Sequence, residues 1–195
     1  MSNSNIFLAG DCCDLVVLSE DLAKNSSWFT WFNDAESTRE TEHHRFPNTI
    51  SDQVRFFQHQ VVGNSSNLIL GIAEKSEGSL VGVISLSEIN PIDRKAKITI
   101  MIGEAEFRNA SVATEAHQMI IAHAFNELNL NRIYGASMTK EWAEFLCRAI
   151  GFKMEGLLRQ EIYKRGRYHD VYQFAILRDH FDNLAEEAGK KMKEL

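Results

Sequence analysis

The residues with the clearest chemical potential lie in a segment that passes from a β-rich run through a polar turn into an amphipathic helix. Ile98–Ile102 is typical of a buried strand, Gly103 interrupts it, and apolar residues at three- and four-residue steps predict a helix beginning near Ser111. The first turn of such a helix has unpaired backbone N–H groups and lies at the positive end of the helix dipole. Because these features attract phosphate groups, the segment predicts an anion-binding turn.

The run Arg-Asn-Ala-Ser-Val-Ala that begins at Arg108 resembles motif A of the GNAT superfamily of acyl-CoA-dependent acetyltransferases, Arg/Gln-x-x-Gly-x-Gly/Ala, with serine in place of the usual first glycine. The resemblance implies that backbone amides of this turn bind the pyrophosphate of acetyl-CoA. It also implies that pantetheine pairs with the edge of the preceding strand, near backbone N–H groups that face the thioester oxygen. The coenzyme-binding residues implied here are Met101, Ile102, Arg108, Asn109, Ala110, Ser111, Val112 and Ala113.

A second motif of the family, Asn-x-x-Ser before a hydrophobic stretch ending in Leu-Gly-Phe, is matched incompletely. Lys140 stands where the Asn would be, Ala143 where the Ser would be, and Cys147 where many members have the Tyr that protonates the leaving thiolate. Lys140 is a candidate contact for a coenzyme phosphate, and a solvated lysine at a helix start is the alternative. Cys147 is a candidate catalytic residue as nucleophile or proton donor, and a packing role is the alternative. An unperturbed thiol, with a pKa of about 8.5, is mostly protonated at neutral pH, which disfavours the nucleophile.

Acetyl transfer to an amine requires the amine to be neutral when it attacks, and holding the two substrates in line supplies much of the rate. Glu88 is the first candidate for the general base, because it is expected near the end of the strand beside the coenzyme-binding strand. Glu161, His43 and His44 are alternatives. An acceptor amine with a pKa of about 8 needs only a water path to a carboxylate.

The elements that must position these residues are predicted in the order of one strand, two helices and then β-β-β-α-β-α-β-β. The predicted strands are Leu15–Leu18, Leu68–Glu74, Leu80–Ile89, Ala96–Ile102, Asn131–Ala136 and a closing hairpin of Phe152–Tyr163 with Tyr168–Leu177. This order resembles the GNAT fold, an α+β class with a mixed, mostly antiparallel central sheet whose splayed strand pair is flanked by helices. The splay is expected from a bulge near Gly103. A single domain over residues 1–195 is predicted, with residues 179–195 as a polar, helical tail.

Two further segments resemble the GNAT branch that includes ribosomal-protein N-terminal acetyltransferases and amino-sugar N-acetyltransferases. Trp31-Phe32-Asn33-Asp34 is similar to the W-x-N-D that closes the first helical region, and residues 156–170 are similar to the final hairpin. The resemblance implies that the polar connection from Glu36 to Pro47 lines the acceptor side of the cleft. A solvated loop is the alternative for this connection.

Composition excludes several classes of function. A net charge of −6 and a pI near 5.7 argue against a nucleic-acid-binding or anionic-membrane surface. The apolar runs are shorter than a membrane span, and the N-terminus lacks a basic region before an apolar core. Three cysteines do not make a secreted disulfide framework, no Cys/His spacing resembles a zinc site, and no metal is expected. A cytoplasmic protein is predicted.

The predicted function is an acetyl-CoA-dependent N-acetyltransferase that moves the acetyl group to a primary amine by direct attack in a ternary complex. A small acceptor such as a nucleotide-linked amino sugar is favoured, for which Arg39, Arg45, Arg165 and Arg167 offer positive charge. A protein N-terminus is the alternative acceptor. A non-catalytic acyl-CoA-binding relative is the alternative to an enzyme, because three motif positions depart from the family.

A homodimer is also expected, since many family members pair. The final hairpin carries Tyr163, Tyr168 and Tyr172, which could contribute to such a surface. Packing of those rings in the core is the alternative.

Overall fold

The central sheet has eight strands in the computed structural model, which describes residues 5–193, with side chains described to residue 187. The strands are β1 Ile6–Ala9, β2 Cys13–Val17, β3 Leu68–Glu74, β4 Leu80–Asn90, β5 Lys95–Ile102, β6 Arg132–Ser137, β7 Lys153–Lys164 and β8 Arg167–Leu177. Their order is β1-β2-β3-β4-β5-β6-β8-β7, and β5 with β6 is the one parallel pair among them. The α+β fold with a mixed, mostly antiparallel sheet is therefore confirmed.

Helices cover both faces of this sheet. They are α1 Glu20–Asn25, α2 Trp28–Trp31, α3 Ile50–Phe56, α4 Ala110–Asn126, α5 Lys140–Ala149 and α6 Arg178–Lys193, with a π-helical turn Phe57–Val61 and a 3₁₀ turn Ala105–Phe107. Helices α4 and α5 pack with residues such as Ile84 and Ile98 in the larger core. Helices α1 and α2 pack with Val83 and Met101 in the smaller one. Neighbouring strand residues point to opposite faces, so the two cores are separated by the sheet.

Three local features differ from the sequence prediction. Strand β1 was not predicted. The first helical region is two short helices, because Ser26 leaves the helical conformation and its Oγ accepts a hydrogen bond from the N–H of Trp28. The second helical region, for which the sequence predicts Ser51 as the cap, begins at Ile50, because Thr49 and Asp52 form a capping box.

The C-terminal segment through residue 193 is helix α6, and residues 194–195 of the predicted tail lie outside the described residues. Within residues 5–193, no helix combines the length and apolar character that a membrane crossing requires.

Candidate active site

A V-shaped opening separates the C-terminal halves of β5 and β6. The two strands pair only between Lys95–Lys97 and Arg132–Tyr134, so the rest of β5 has no strand partner on that side among residues 5–193. A β-bulge lies beside the closed end of the V: the pairs Ser87↔Lys97 and Asn90↔Lys95 leave two residues of β4 opposite one of β5. Bulges bend and twist a strand, and this one lies opposite the part of β5 that still pairs with β6. The bulge expected near Gly103 is present directly after β5: the N–H groups of Gly103 and Glu104 both donate to the carbonyl of Val81, at 2.9 and 3.2 Å.

The phosphate turn (residues 108–113) lies at the open end of the V and begins α4. Asn109 is the N-cap, and its side chain accepts a hydrogen bond from the N–H of Val112 at 3.0 Å. Ser111, expected near the helix start, is the second residue of the helix. Within residues 5–193, the backbone N–H groups of Ala110 and Ser111 have no hydrogen-bond partner in the protein. Two donors at the positive end of a 17-residue helix therefore remain free to bind an anion.

Arg108 joins the end of β5 to a second part of the chain. Its guanidinium donates to the carbonyls of Ile102 at 2.9 Å and Gly103 at 2.6 Å, and to Ser37 Oγ at 2.7 Å. Trp31 contacts the same place: its indole N–H donates to Glu104 Oε1 at 2.9 Å. A Cβ added to Gly103 would lie 2.0 Å from the Trp31 ring, so glycine is required for this approach.

A bridging loop (residues 34–48) crosses the open end of the V. On the β5 side Ser37 bonds to Arg108, and on the β6 side Glu40 accepts a hydrogen bond from Thr139 Oγ1 at 3.1 Å. Asn33 closes the ends of the loop by bonding both the N–H of Asn48, at 2.7 Å, and its carbonyl, at 2.6 Å. Any molecule entering the V from this face must therefore pass the loop.

The turn between β7 and β8 fastens the bridging loop from the other side. Lys164 Nζ donates to three carbonyls of the loop, and Arg165 Nη2 donates to the carbonyl of Ala35 at 2.9 Å. Arg45 of the loop returns a hydrogen bond to the carbonyl of Tyr163 at 3.3 Å. These contacts were missed by sequence reasoning, since the partners lie more than 115 residues apart along the chain.

Glu88 lies at the closed end of the V. It occupies the β4 bulge with a φ of 55°, and it accepts a hydrogen bond from the Tyr134 hydroxyl at 2.8 Å. Burial, with the hydrogen bond to Glu88, raises the pKa of Tyr134 to about 12. Met101 pairs with Val83, five residues from Glu88 along β4, which corresponds to roughly 15 Å. The structure therefore does not bring Glu88 together with Met101 and Ile102.

The candidates on α5 have local partners. Lys140, exposed at the first residue of the helix, forms an ion pair with Glu144 at 3.1 Å, and this hydrogen bond raises the pKa of Lys140. Cys147 packs against the larger core, and burial raises the pKa of its thiol despite a hydrogen bond from the N–H of Met154. Ala143 is fully buried. At neutral pH the thiol of Cys147 is therefore protonated.

The alternative bases lie in two elements, His43 and His44 as neighbours in the bridging loop and Glu161 on β7. His43 contacts Phe32 edge-to-face with ring centroids 4.8 Å apart, and burial lowers the pKa of its imidazole. His44 and Glu161 are exposed, the first in the bridging loop and the second on β7. The positions of His44 and Glu161 therefore give no reason to prefer either one as the general base.

The comparisons with known proteins agree with this architecture. Residues 18–153 match the family described as the acetyltransferase (GNAT) domain. A candidate ribosomal N-acetyltransferase of Bacillus subtilis is 36% identical over 103 residues, covering 52% of this chain and 56% of that protein. A spermidine N(1)-acetyltransferase of Vibrio cholerae is 32% identical over 116 residues, covering 59% and 66%. The matched segments thus span between about half and two thirds of these relatives.

Solved structures show the same fold over most of the chain. A crystal structure of spermidine N-acetyltransferase from Vibrio cholerae, in complex with CoA and spermine, has a TM-score of 0.78 at 22% identity, covering 88% of this chain and 99% of that one. A ribosomal L7/L12 alpha-N-protein acetyltransferase in complex with CoA has a TM-score of 0.79 at 18% identity, covering 90% and 99%. By its family match and its fold, the chain belongs to the GNAT acetyltransferase family.

Proposed function

We propose that this protein is an acetyl-CoA-dependent N-acetyltransferase that acts on a primary amine. The observation that carries the proposal is the V between β5 and β6, with a helix N-terminus at its open end. A flat, extended thioester arm fits beside an unpaired strand edge, and a diphosphate fits the free N–H groups of the helix. Family membership is consistent with both parts.

The chain's own residues fit the coenzyme. Ala110 and Ser111 offer the free N–H groups, and Ser111 is exposed with a side chain small enough to allow close approach. Met101 and Ile102 supply the strand edge, while Asn109, Val112 and Ala113 hold the turn. Arg108 acts through the carbonyls at the end of β5, and Lys140 supplies a positive charge that stays exposed in its ion pair with Glu144.

The chemistry proposed is direct transfer. The amine nitrogen forms a bond to the acetyl carbon, the carbon–sulfur bond breaks, the nitrogen loses a proton, and the thiolate gains one. Glu88 remains the proposed base, through Tyr134 and water, because its distance from Met101 precludes direct contact. Cys147 serves packing, or donates a proton as a neutral thiol, and forms no acyl-enzyme.

A small acceptor is favoured over a protein N-terminus by the bridging loop, whose two anchors on opposite sides of the V narrow the entrance. The charged residues of the loop do not decide between the two small acceptors, a polyamine and a nucleotide-linked amino sugar. Glu36 and Glu40, which suit a polyamine such as spermidine, both pair with Arg39. Arg45 and Arg165, which suit a nucleotide-linked amino sugar, both bond to backbone carbonyls.

A panel experiment tests the proposal. Release of free thiol from acetyl-CoA is followed with spermidine, a nucleotide-linked amino sugar and a peptide with a free N-terminus. Turnover with a small amine at least tenfold above the peptide supports the proposal. Preference for the peptide establishes the ribosomal-protein-type alternative, which the Bacillus subtilis relative favours. Tight binding of CoA without turnover on any amine of a broad set favours the non-catalytic alternative.

The homodimer remains a prediction. Tyr163 and Tyr168 are more than half exposed and contact each other at 5.1 Å between ring centroids, so they are available to a partner, while Tyr172 packs against the core. Light scattering at tens of micromolar protein should show twice the monomer mass. A monomer at that concentration excludes the dimer.

A further inference from the structure

Lys164 is a charged side chain in a place where charge is costly. The residue is 9% exposed, at the end of β7, and its ammonium faces the inner side of the bridging loop. Nζ donates to the carbonyls of Thr38 at 2.5 Å, Thr41, and His43 at 3.0 Å. An ammonium has three N–H donors, so each is matched by one carbonyl. Burial of a charge is tolerated when its hydrogen bonds are satisfied in this way.

The surrounding charges do not account for the position of Lys164. Burial lowers the pKa of its ammonium, and the neighbouring guanidinium groups of Arg165 and Arg45 lower it further. Within residues 5–187, no carboxylate pairs with Lys164. Its partners are loop carbonyls alone, so what it determines is the path of the loop backbone.

One of the three carbonyls, that of Thr38, lies between the two anchors of the loop. The other two, of Thr41 and His43, lie beyond the second anchor. Thr38, which is fully buried, lies between Ser37, anchored to Arg108, and Glu40, anchored to Thr139. A carbonyl left without a donor here would have to turn toward water, and the backbone between the two anchors would turn with it. The width of the entrance over the V therefore depends on the Lys164 ammonium.

We propose that Lys164 is a positioning residue for the acceptor: it holds the bridging loop over the V and thereby sets how the amine is bound. The proposal rests on the proposed function, because it assigns the loop to the amine side. It separates the two substrates, since among the described residues no hydrogen bond joins Lys164 to the phosphate turn, which bonds to the bridging loop through Arg108 and Ser37.

Substitution of Lys164 tests this with a built-in comparison. Lys164→Met keeps the length of the side chain and removes all three donors. Lys164→Arg keeps the charge, but a planar fork cannot direct three donors at converging carbonyls. Lys153→Met is the matched control, an exposed lysine at the other end of β7 whose side chain has no ion pair or hydrogen bond in the described residues. Each variant is assayed with the best amine of the panel.

For Lys164→Met we expect the KM of the amine to rise at least tenfold, with the dissociation constant of CoA, from calorimetry, within twofold of wild type. Lys164→Arg should be intermediate, and Lys153→Met should be unchanged in both. An unchanged amine KM in Lys164→Met overturns the proposal. So does an equal loss of amine and CoA binding, which marks a purely structural role.

Hydrogen exchange gives a readout that does not need turnover. Lys164→Met should accelerate exchange of backbone amides in residues 35–46 and leave those of α4 unchanged. If wild type acetylates no amine, the proposed function fails while this measurement still decides whether Lys164 holds the loop. Equal protection of residues 35–46 in both proteins overturns the inference whatever the activity.

Discussion

The phosphate turn and the bridging loop lie at the same opening, yet they are built in opposite ways. The phosphate turn is a local structure: a strand ends, Asn109 caps a helix, and two N–H groups remain free. The bridging loop has no regular structure and is held by side chains of the β7–β8 hairpin, of the residue before α5 and of the turn after β5. Few residues thus define the turn that we propose binds the coenzyme. The acceptor side depends on contacts that any of several distant segments can alter.

The largest effect that should distinguish the two regions comes from acid, through His117 in α4. Full burial lowers the pKa of His117 to about 4, although its Nδ1 lies 2.7 Å from the carbonyl of Ala113. The unfolded chain, with a histidine pKa near 6.5, binds this proton more readily, so stability falls as pH drops from about 6.5 to 4. The difference corresponds to about 3 kcal/mol.

The measurement is chemical denaturation between pH 7.5 and 4, comparing wild type with His117→Gln. His43 and His123 also have pKa values lowered by burial, so the quantity of interest is the difference between the two proteins. The variant should lose less stability over this range. If the free energy of unfolding falls equally with pH in both proteins, protonation of His117 does not destabilise the fold.

The second effect is specific to the phosphate turn. At about 100-fold excess over its dissociation constant, acetyl-CoA should stabilise the fold by roughly 2.7 kcal/mol. Ser111→Asp should abolish this shift, because a carboxylate at the helix start repels the diphosphate. The thermal shift in millimolar acetyl-CoA is the measurement, with Ser111→Gly as the control that keeps the shift. A wild-type protein without response would contradict the coenzyme site itself.

The third effect concerns the contact between Gly103, just before the phosphate turn, and Trp31, just before the bridging loop. Gly103→Ala forces a Cβ against Trp31 and should destabilise the protein by about 2 kcal/mol, within the range for overpacked cores. Combined with Trp31→Phe, it should cost less than the sum of the single changes, since the smaller ring relieves the clash. Additive losses in urea denaturation would mean that the ring moves aside freely.

The smallest effect should come from Cys147, which belongs to neither region. As a packing residue with a raised thiol pKa, Cys147→Ala should lower kcat less than tenfold, or about 1.4 kcal/mol of barrier. A loss beyond a thousandfold in a folded variant, or an acetyl adduct on Cys147 by intact-mass spectrometry, would assign it a covalent role.

The features that could be predicted from the sequence are those built by local interactions, and those held by distant residues could not be predicted. Ser19 caps a helix and Gly166 has a positive φ in the last turn, and both features follow local rules that can be applied to the sequence alone. Strand β1 was missed, since its turn is held from 100 residues away by Glu115, whose carboxylate accepts the N–H groups of residues 11–13. Burial alone would raise the pKa of Glu115, but these hydrogen bonds lower it.

The site residues divide likewise. The turn around Ser111 could be located from its pattern, whereas the role of Lys164 could not, because nothing in its neighbourhood along the chain marks it as a partner of Thr38. The separation of Glu88 from Met101 also escaped prediction. Both lie on neighbouring strands, but only the register shows that they lie roughly 15 Å apart.

The two anchors of the bridging loop also constrain how this protein can diverge. Ser37 and Glu40 are three residues apart and bond to opposite sides of the V. One inserted or deleted residue between them would therefore break the bond to Arg108 or the bond to Thr139. Residues 44–47 have one such side-chain contact, from Arg45 to the carbonyl of Tyr163, so their length and composition are less constrained. Descendants of this chain would therefore acquire new acceptors through changes in that half of the loop, while the half that spans the opening keeps its length.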